Sequence, residues 1–220
     1  TSLGADNGIG IATCFAILED KELMHGPIEV LVTRDEETGL YGASALEAGV
    51  LKAKYMINVD SEEENAVCVG CAGGYTIHMK LPTPRVAAEG EVKKVVTLNN
   101  FCGGHSGCDI GLGRANPLHI MGRLLKACCC PYRLVSVECG TAHNAIPRKC
   151  ICGVAVPAEK AECFEKCMKK HFEEFYKEYH LIEKDATIEI KDCNCDKVPM
   201  TVEATQKFVN FIYSKHFLLA

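Results

Sequence analysis

The chain has 220 residues, of which 48% are hydrophobic and 24% charged, with a formal net charge of −5. That is the balance of a globular protein with one large domain or two small ones. It holds no run of about 18 apolar residues, the length a membrane span needs. The stretch opening at Thr1 lacks the basic-then-apolar pattern of an export signal, and an acidic balance without a basic stripe excludes nucleic acid as the main partner.

Fifteen cysteines would mark a disulfide framework in a small secreted domain. Here the length of the chain, its Val-, Ile- and Leu-rich segments and the absent export pattern favour reduced thiols used as small apolar residues. Structural zinc and redox sensing are the alternatives. Cys128, Cys129 and Cys130 are consecutive, and adjacent cysteines rarely bridge one another. Cys68 and Cys71 form an isolated CxxC.

In chain order, residues 8–20 carry apolar positions at helical spacing after a Gly/Asp/Asn turn. A strand is expected over 28–33, a helix over 42–51 and a second strand over 55–59. This alternation predicts a mostly parallel sheet covered by helices, an α/β domain. At Gly73-Gly74 the character changes. Strands are expected at 75–81, 92–98, 132–139, 148–156 and 186–190, with helices near 112–128 and 158–179. That order suggests an α+β insertion related to the split βαβ layout. Residues 1–74 would then be part of one domain and 75–200 an inserted lid. Residues 202–219 read as an amphipathic helix belonging to either.

Four carboxylates stand where a strand gives way to a loop: Asp6, Glu36, Glu37 and Asp60. In open α/β sheets the carboxyl ends of strands converge on one crevice. Acidic groups gathered there repel unless protonated or neutralised, and a pair of divalent cations bridged by a carboxylate is an economical solution. Each acid taken alone also reads as an ordinary exposed loop residue. In Glu36-Glu37, one carboxylate can face a metal while its neighbour handles a proton on bound water. Glycines flank His105 in Gly103-Gly104-His105-Ser106-Gly107; this His is either structural or a donor to a developing oxyanion. Asn144 and Arg148, within His143-Asn144-Ala145-Ile146-Pro147-Arg148, offer an amide and a guanidinium to a substrate carboxylate, or simply a turn. No Gly-x-Ser-x-Gly elbow is present.

Leu3 through Gly10, Thr33 through Gly39, Asn58 through Glu63, Gly70 through Gly74, Gly103 through Gly107 and Asn144 through Arg148 together resemble the aminoacyl-histidine dipeptidases. These belong to the co-catalytic zinc peptidases that include carnosinases, tripeptidases and aminoacylases. The resemblance covers most of residues 1–157 and is weak beyond. It implies hydrolysis of dipeptides ending in histidine, a pair of divalent ions (zinc), a cytoplasmic setting, a dipeptide partner and a homodimer formed through the lid. It casts Asp6 as the bridging carboxylate, Glu36 as general base, Glu37 and Asp60 as metal ligands, and His105 as the oxyanion stabiliser. Asn144 and Arg148 become substrate contacts. The family also carries a His-x-Asp motif before the bridging Asp and a final His ligand far downstream. This chain begins after the first and stops before the second, so it is expected to be a partial chain, inactive alone. The rival readings are a related tripeptidase, an N-acyl-amino-acid hydrolase, and a non-catalytic dimerisation module.

Overall fold

The computed structural model describes residues 7–60, 65–70, 77–87 and 89–214. The chain divides into two compact units, Thr1–Thr76 and Ile77–Ala220.

In the first unit, helix α1 runs over Gly8–Glu19. It starts at Asn7, whose Oδ1 accepts the Gly10 N–H at 2.8 Å, so a helix-start donor is satisfied by a side chain. Helix α2, Tyr41–Ser44, is a single turn. The mostly parallel sheet expected here is absent from the described residues. Segments 28–33 and 55–59 form no ladder, and the helix expected over 42–51 shrinks to α2. The apolar pattern that suggested strands is real, yet Ile28, Val30, Leu31, Val32, Tyr55, Met56, Ile57 and Val59 are all exposed. Periodicity reports that a segment needs covering, whereas a strand exists only with a neighbour, and a parallel one needs neighbours across crossovers. The first stretch is tied by a side chain to the residues just before the second: Glu29 Oε2 accepts from the N–H groups of Lys52 and Ala53 at 2.9 and 2.7 Å.

The second unit contains strand β1 (Glu91–Asn99), the short strand β2 (Gly104–His105), helix α3 (Pro117–Ala127), strands β3 (Arg133–Cys139), β4 (Ala145–Ile146) and β5 (Cys150–Pro157), helix α4 (Ala161–Tyr179), strand β6 (Thr187–Asp192) and helix α5 (Val202–Ser214). The main sheet has the order β3-β5-β1-β6 with every neighbour antiparallel. Strand, helix, two strands, helix, strand, with β5 lying between β1 and β3, is the split βαβ arrangement. Central strand β5 is buried along nearly its whole length, while edge strand β6 alternates, as their positions require. No ladder forms over 77–81, so that stretch is not the strand expected for 75–81; residues 75 and 76 lie outside those described.

Burial on α3 falls at Ile120, Met121, Leu124 and Leu125, and on α4 at Phe164, Met168, Phe172 and Phe175, the spacing of one helical face. These pack with Val96, Leu98, Cys152, Val154 and Val156 into one core. The helix expected near 112–128 begins later, at Pro117. Pro117 is a favoured first helical residue after the cap Asn116, whose side chain accepts from Leu118 N–H at 2.8 Å. Helix α5 packs on α3, and Gly122 makes room: a Cβ there would sit 2.9 Å from Ile212 Cγ1. The outer edge of β3 is covered. Met200 N–H donates to Leu134 O at 2.7 Å, and Arg85 Nη1 to Val135 O at 2.8 Å, which closes a strand edge otherwise open to pairing.

One expectation about the cysteines is overturned. Cys130 and Cys163 are joined in a disulfide with Cα atoms 6.6 Å apart, so the thiols are not all apolar filler. The other described cysteines are free.

Candidate functional site

His105 sits in β2, which pairs antiparallel with β4 so that His105 stands opposite Ala145 and Gly104 opposite Ile146. That small ladder brings two segments some forty positions apart in sequence to one place. The Ser106 N–H donates to Asn144 O at 2.9 Å, and the Phe101 N–H to Arg148 O at 3.2 Å. The result is an open cavity of about 610 Å³ whose lining includes His105, Thr141, Asn144, Arg148 and Lys149. The three residues singled out here in the sequence thus share one pocket.

The glycines beside His105 have specific tasks. Gly103 has φ +60°, and a Cβ there would lie 2.9 Å from Ile146 O and press on the Arg148 stem. Gly104 has φ +146°, and a Cβ there would lie 2.9 Å from Asp109 Cβ and strike Arg114. Only glycine permits both the backbone conformation and the close approach.

The ring of His105 is oriented by backbone. Its Nδ1 accepts from the N–H groups of Gly107 and Cys108 at 3.1 and 3.3 Å. A nitrogen that accepts carries no proton, so the neutral ring holds its proton on Nε2. The loop is stiffened by Asp109, whose Oδ2 accepts from His105 N–H at 2.8 Å and pairs with Arg114 Nη1 at 3.1 Å. Arg114 Nη1 also donates to Gly103 O at 2.5 Å.

Sequence reasoning missed Glu183. It is fully buried, and its two carboxylate oxygens accept the N–H groups of Cys102 and Ala115, each at 2.8 Å. One side chain thereby ties together both ends of the loop that carries His105. No local pattern marks it; only its place just after α4, far along the chain, puts it there. The same carboxylate, together with burial, holds the Cys102 thiol above its ordinary range, burial being the larger effect. Asp109, four residues after His105, carried a readable signal in its spacing.

In the first unit, Asp6 lies outside the described residues. Its neighbour Asn7 donates from Nδ2 to Val59 O at 3.2 Å, and a Cβ on Gly10 would meet Val59 Cγ2 at 2.7 Å. The residue after Asp6 is therefore held against the residue before Asp60. The Asp60 N–H donates to Asn58 Oδ1 at 3.0 Å. Glu36 and Glu37 occupy a loop closed by bonds from the Gly39 and Leu40 N–H groups to Glu36 O at 3.1 and 3.0 Å. Asp35 and Leu40, on either side, have φ of 56° and 58°, a left-handed conformation that costs a non-glycine residue about 1–2 kcal/mol and tends to mark functional loops. Among the described residues, no group of three or more His, Cys, Asp or Glu side chains is gathered closely enough to hold a metal ion. The described ligand candidates Glu37 and Asp60 offer oxygen only, and zinc centres draw on nitrogen or sulfur as well, so these residues do not make a complete centre.

No protein-family model matches the chain. It is 38% identical over 216 residues to the cytosol non-specific dipeptidase of Escherichia coli, covering 96% of this chain and 44% of that protein. It is similar in structure to the aminoacylhistidine dipeptidase of Vibrio alginolyticus, with TM-score 0.76 and 39% identity, covering 97% of this chain and 44% of that one. A shorter match, 40% over 65 residues, is to the Bacillus subtilis protein YqjE. Over almost its whole length, then, this chain is a relative of the aminoacyl-histidine dipeptidases, of whose length it spans less than half.

Proposed function

We propose that this sequence serves in a zinc-dependent cytoplasmic dipeptidase acting on dipeptides with C-terminal histidine. The observation that carries the reading is 38–39% identity, over nearly the whole chain, to two proteins named as dipeptidases. In this reading Asp6, Glu37 and Asp60 would hold a pair of divalent ions, Asp6 between them as the resemblance implies. The Asn7–Val59 bond supports the placing of Asp6 near Asp60. Bound ions would polarise the scissile carbonyl and acidify water. The described residues do not by themselves complete a metal centre.

What the chain's own residues do follows from their chemistry. Glu36, at the closed loop, takes a proton from the attacking water. His105 presents Nε2–H as a donor to the oxyanion that forms as the carbonyl is attacked. Asn144 and Arg148, in the same cavity, hold the dipeptide's carboxylate through an amide and a two-pronged guanidinium. Residues 75–200 act as the inserted lid that excludes bulk water and joins two copies of the protein.

The test is a hybrid in which this chain replaces the matching stretch of the Escherichia coli relative. Supplied with zinc, it is expected to hydrolyse alanyl-histidine faster than dipeptides lacking histidine, and Glu36→Gln is expected to abolish the activity. A folded hybrid that leaves every dipeptide uncut removes the assignment. Equal rates on all dipeptides remove the histidine preference.

A further inference from the structure

A second group of reactive side chains lies outside the His105 cavity, where the turn after α3 meets α4. Cys128, Cys129 and Cys130 follow the end of α3, while Cys163, Cys167 and His171 recur every fourth residue and so share one face of α4. Cys130 and Cys163 form the bridge already described. One helical turn further along α4, the sulfurs of Cys129 and Cys167 are 3.6 Å apart, both as free thiols, with Cys129 exposed.

We propose that Cys129 and Cys167 are a peroxide-oxidisable dithiol, able to form a second bridge beside Cys130–Cys163. A disulfide needs sulfurs about 2.05 Å apart, and these two already stand 3.6 Å from one another. The surroundings favour Cys167 as the attacking thiol. Burial pushes it up, but the Cys129 N–H, the thiols of Cys129 and Cys128 and the charge of His171 outweigh that and bring it below the ordinary thiol range. His171 is itself pushed up by its 2.8 Å hydrogen bond to Glu174, which favours the charged form of the ring close to the sulfur. Cys128 is unsuited, since burial pushes its thiol up to about 12. Cys139 and Cys150 also face one another, across β3 and β5, but Cys150 is fully buried and its thiol is held far up by the Cys139 hydrogen bond and by burial.

The chemistry balances. The Cys167 thiolate attacks one oxygen of hydrogen peroxide, the O–O bond breaks, and the departing oxygen leaves as water after taking the thiol proton. Cys167 is then a sulfenic acid. The Cys129 sulfur displaces that hydroxyl, the S–S bond forms, and the second water carries away the Cys129 proton. Both sulfurs are oxidised, and one peroxide is reduced to two waters. The new ring closes only residues 129–130 and 163–167 on top of an existing crosslink, so its effect on chain entropy is small. Its consequence is chemical: the low-lying thiol is stored as a disulfide and does not advance to the irreversible sulfinic acid.

Trypsin separates the partners, because Cys128, Cys129 and Cys130 fall in peptide 127–133, Cys163 in 161–166 and Cys167 in 167–169. The purified chain would be exposed to substoichiometric hydrogen peroxide, alkylated, digested and mapped by mass spectrometry. The expected product is 127–133 linked to both 161–166 and 167–169, appearing before the exposed Cys68, Cys102 or Cys108 is modified. If 167–169 stays alkylated while those exposed cysteines oxidise, the proposal is overturned. In Cys129→Ser, with folding checked by circular dichroism, 167–169 should carry sulfenic or sulfinic acid; a persisting link to 127–133 would take the role from Cys129. Replacing His171 by Asn should slow formation of the bridge several-fold, and an unchanged rate would remove His171 from the account.

Discussion

A histidine with both Nδ1 partners supplied by backbone is set before any substrate arrives. In His105 the Gly107 and Cys108 N–H groups fix the tautomer, and the ring's remaining donor is Nε2–H. Loss of one preorganised oxyanion donor costs about 10²–10³-fold in kcat. In the hybrid dipeptidase, His105→Ala is therefore expected to lower kcat by about that factor with a much smaller effect on KM; a change in KM alone would argue for a binding role. Glu183 is the other decisive residue. Glu183→Gln puts an amide where two N–H donors need acceptors, and one buried unsatisfied donor costs about 1–3 kcal/mol. Hydrogen exchange at the Cys102 and Ala115 amides should quicken accordingly, while an unchanged rate would show that the carboxylate is not what holds the loop. His105 was legible because glycines bracket it, and those glycines prove to accommodate Arg148, Arg114 and Asp109. Glu183 was not, since nothing near it in sequence announces that it will meet a loop about eighty residues earlier.

At the scale of elements, two buried cations, Arg133 and Lys94, brace the sheet through ion pairs. Arg133 on β3 meets Glu91 on β1 in a two-pronged pair, at 2.9 and 2.6 Å, and donates to Val86 O as well. Removing one partner of a buried pair leaves the other charged and dry, at a cost of about 3–5 kcal/mol. Glu91→Ala should lower the unfolding free energy of the second unit, measured by urea denaturation, by about that amount, with a loss under about 1 kcal/mol showing that water replaces the carboxylate. Lys94 on β1 contacts Asp192 at 2.6 Å and Glu165 at 2.7 Å. Its hydrogen bond to Asp192 leads the effects that raise its pKa above the ordinary 10.5. A raised folded-state value means the contribution is complete below the unfolded value and lost as pH climbs through the folded one. The stability gap between the natural chain and Lys94→Met should therefore be constant near neutrality and narrow above about pH 10.5; a gap that does not narrow would place the stabilisation elsewhere. Strands β1, β3, β5 and β6 were legible from apolar alternation and turn residues because each finds its partners within the second unit. Segments 28–33 and 55–59 carry the same kind of pattern without a ladder, and the start of α3 moved to Pro117 because proline sets a boundary that periodicity does not.

For the whole molecule, the chain supplies two compact units and spans about 44% of the dipeptidases it resembles. The fold of the second unit was readable in outline, down to the split βαβ order. The carboxylates proposed as ligands in the first were readable only as a list of residues, because no sequence pattern states which of them meet. Asn7 against Val59 is the one described contact that joins the neighbours of Asp6 and Asp60. Asp6, Glu37 and Asp60 are proposed as the carboxylate shell of a hydrolytic metal pair. The most direct measurement is zinc stoichiometry by mass spectrometry under native conditions, on the hybrid dipeptidase and on its Asp6→Ala form. A bound pair of ions is expected in the hybrid, and its loss on Asp6→Ala with the fold intact. A folded hybrid that binds no zinc, or that keeps the full complement without Asp6, would contradict it.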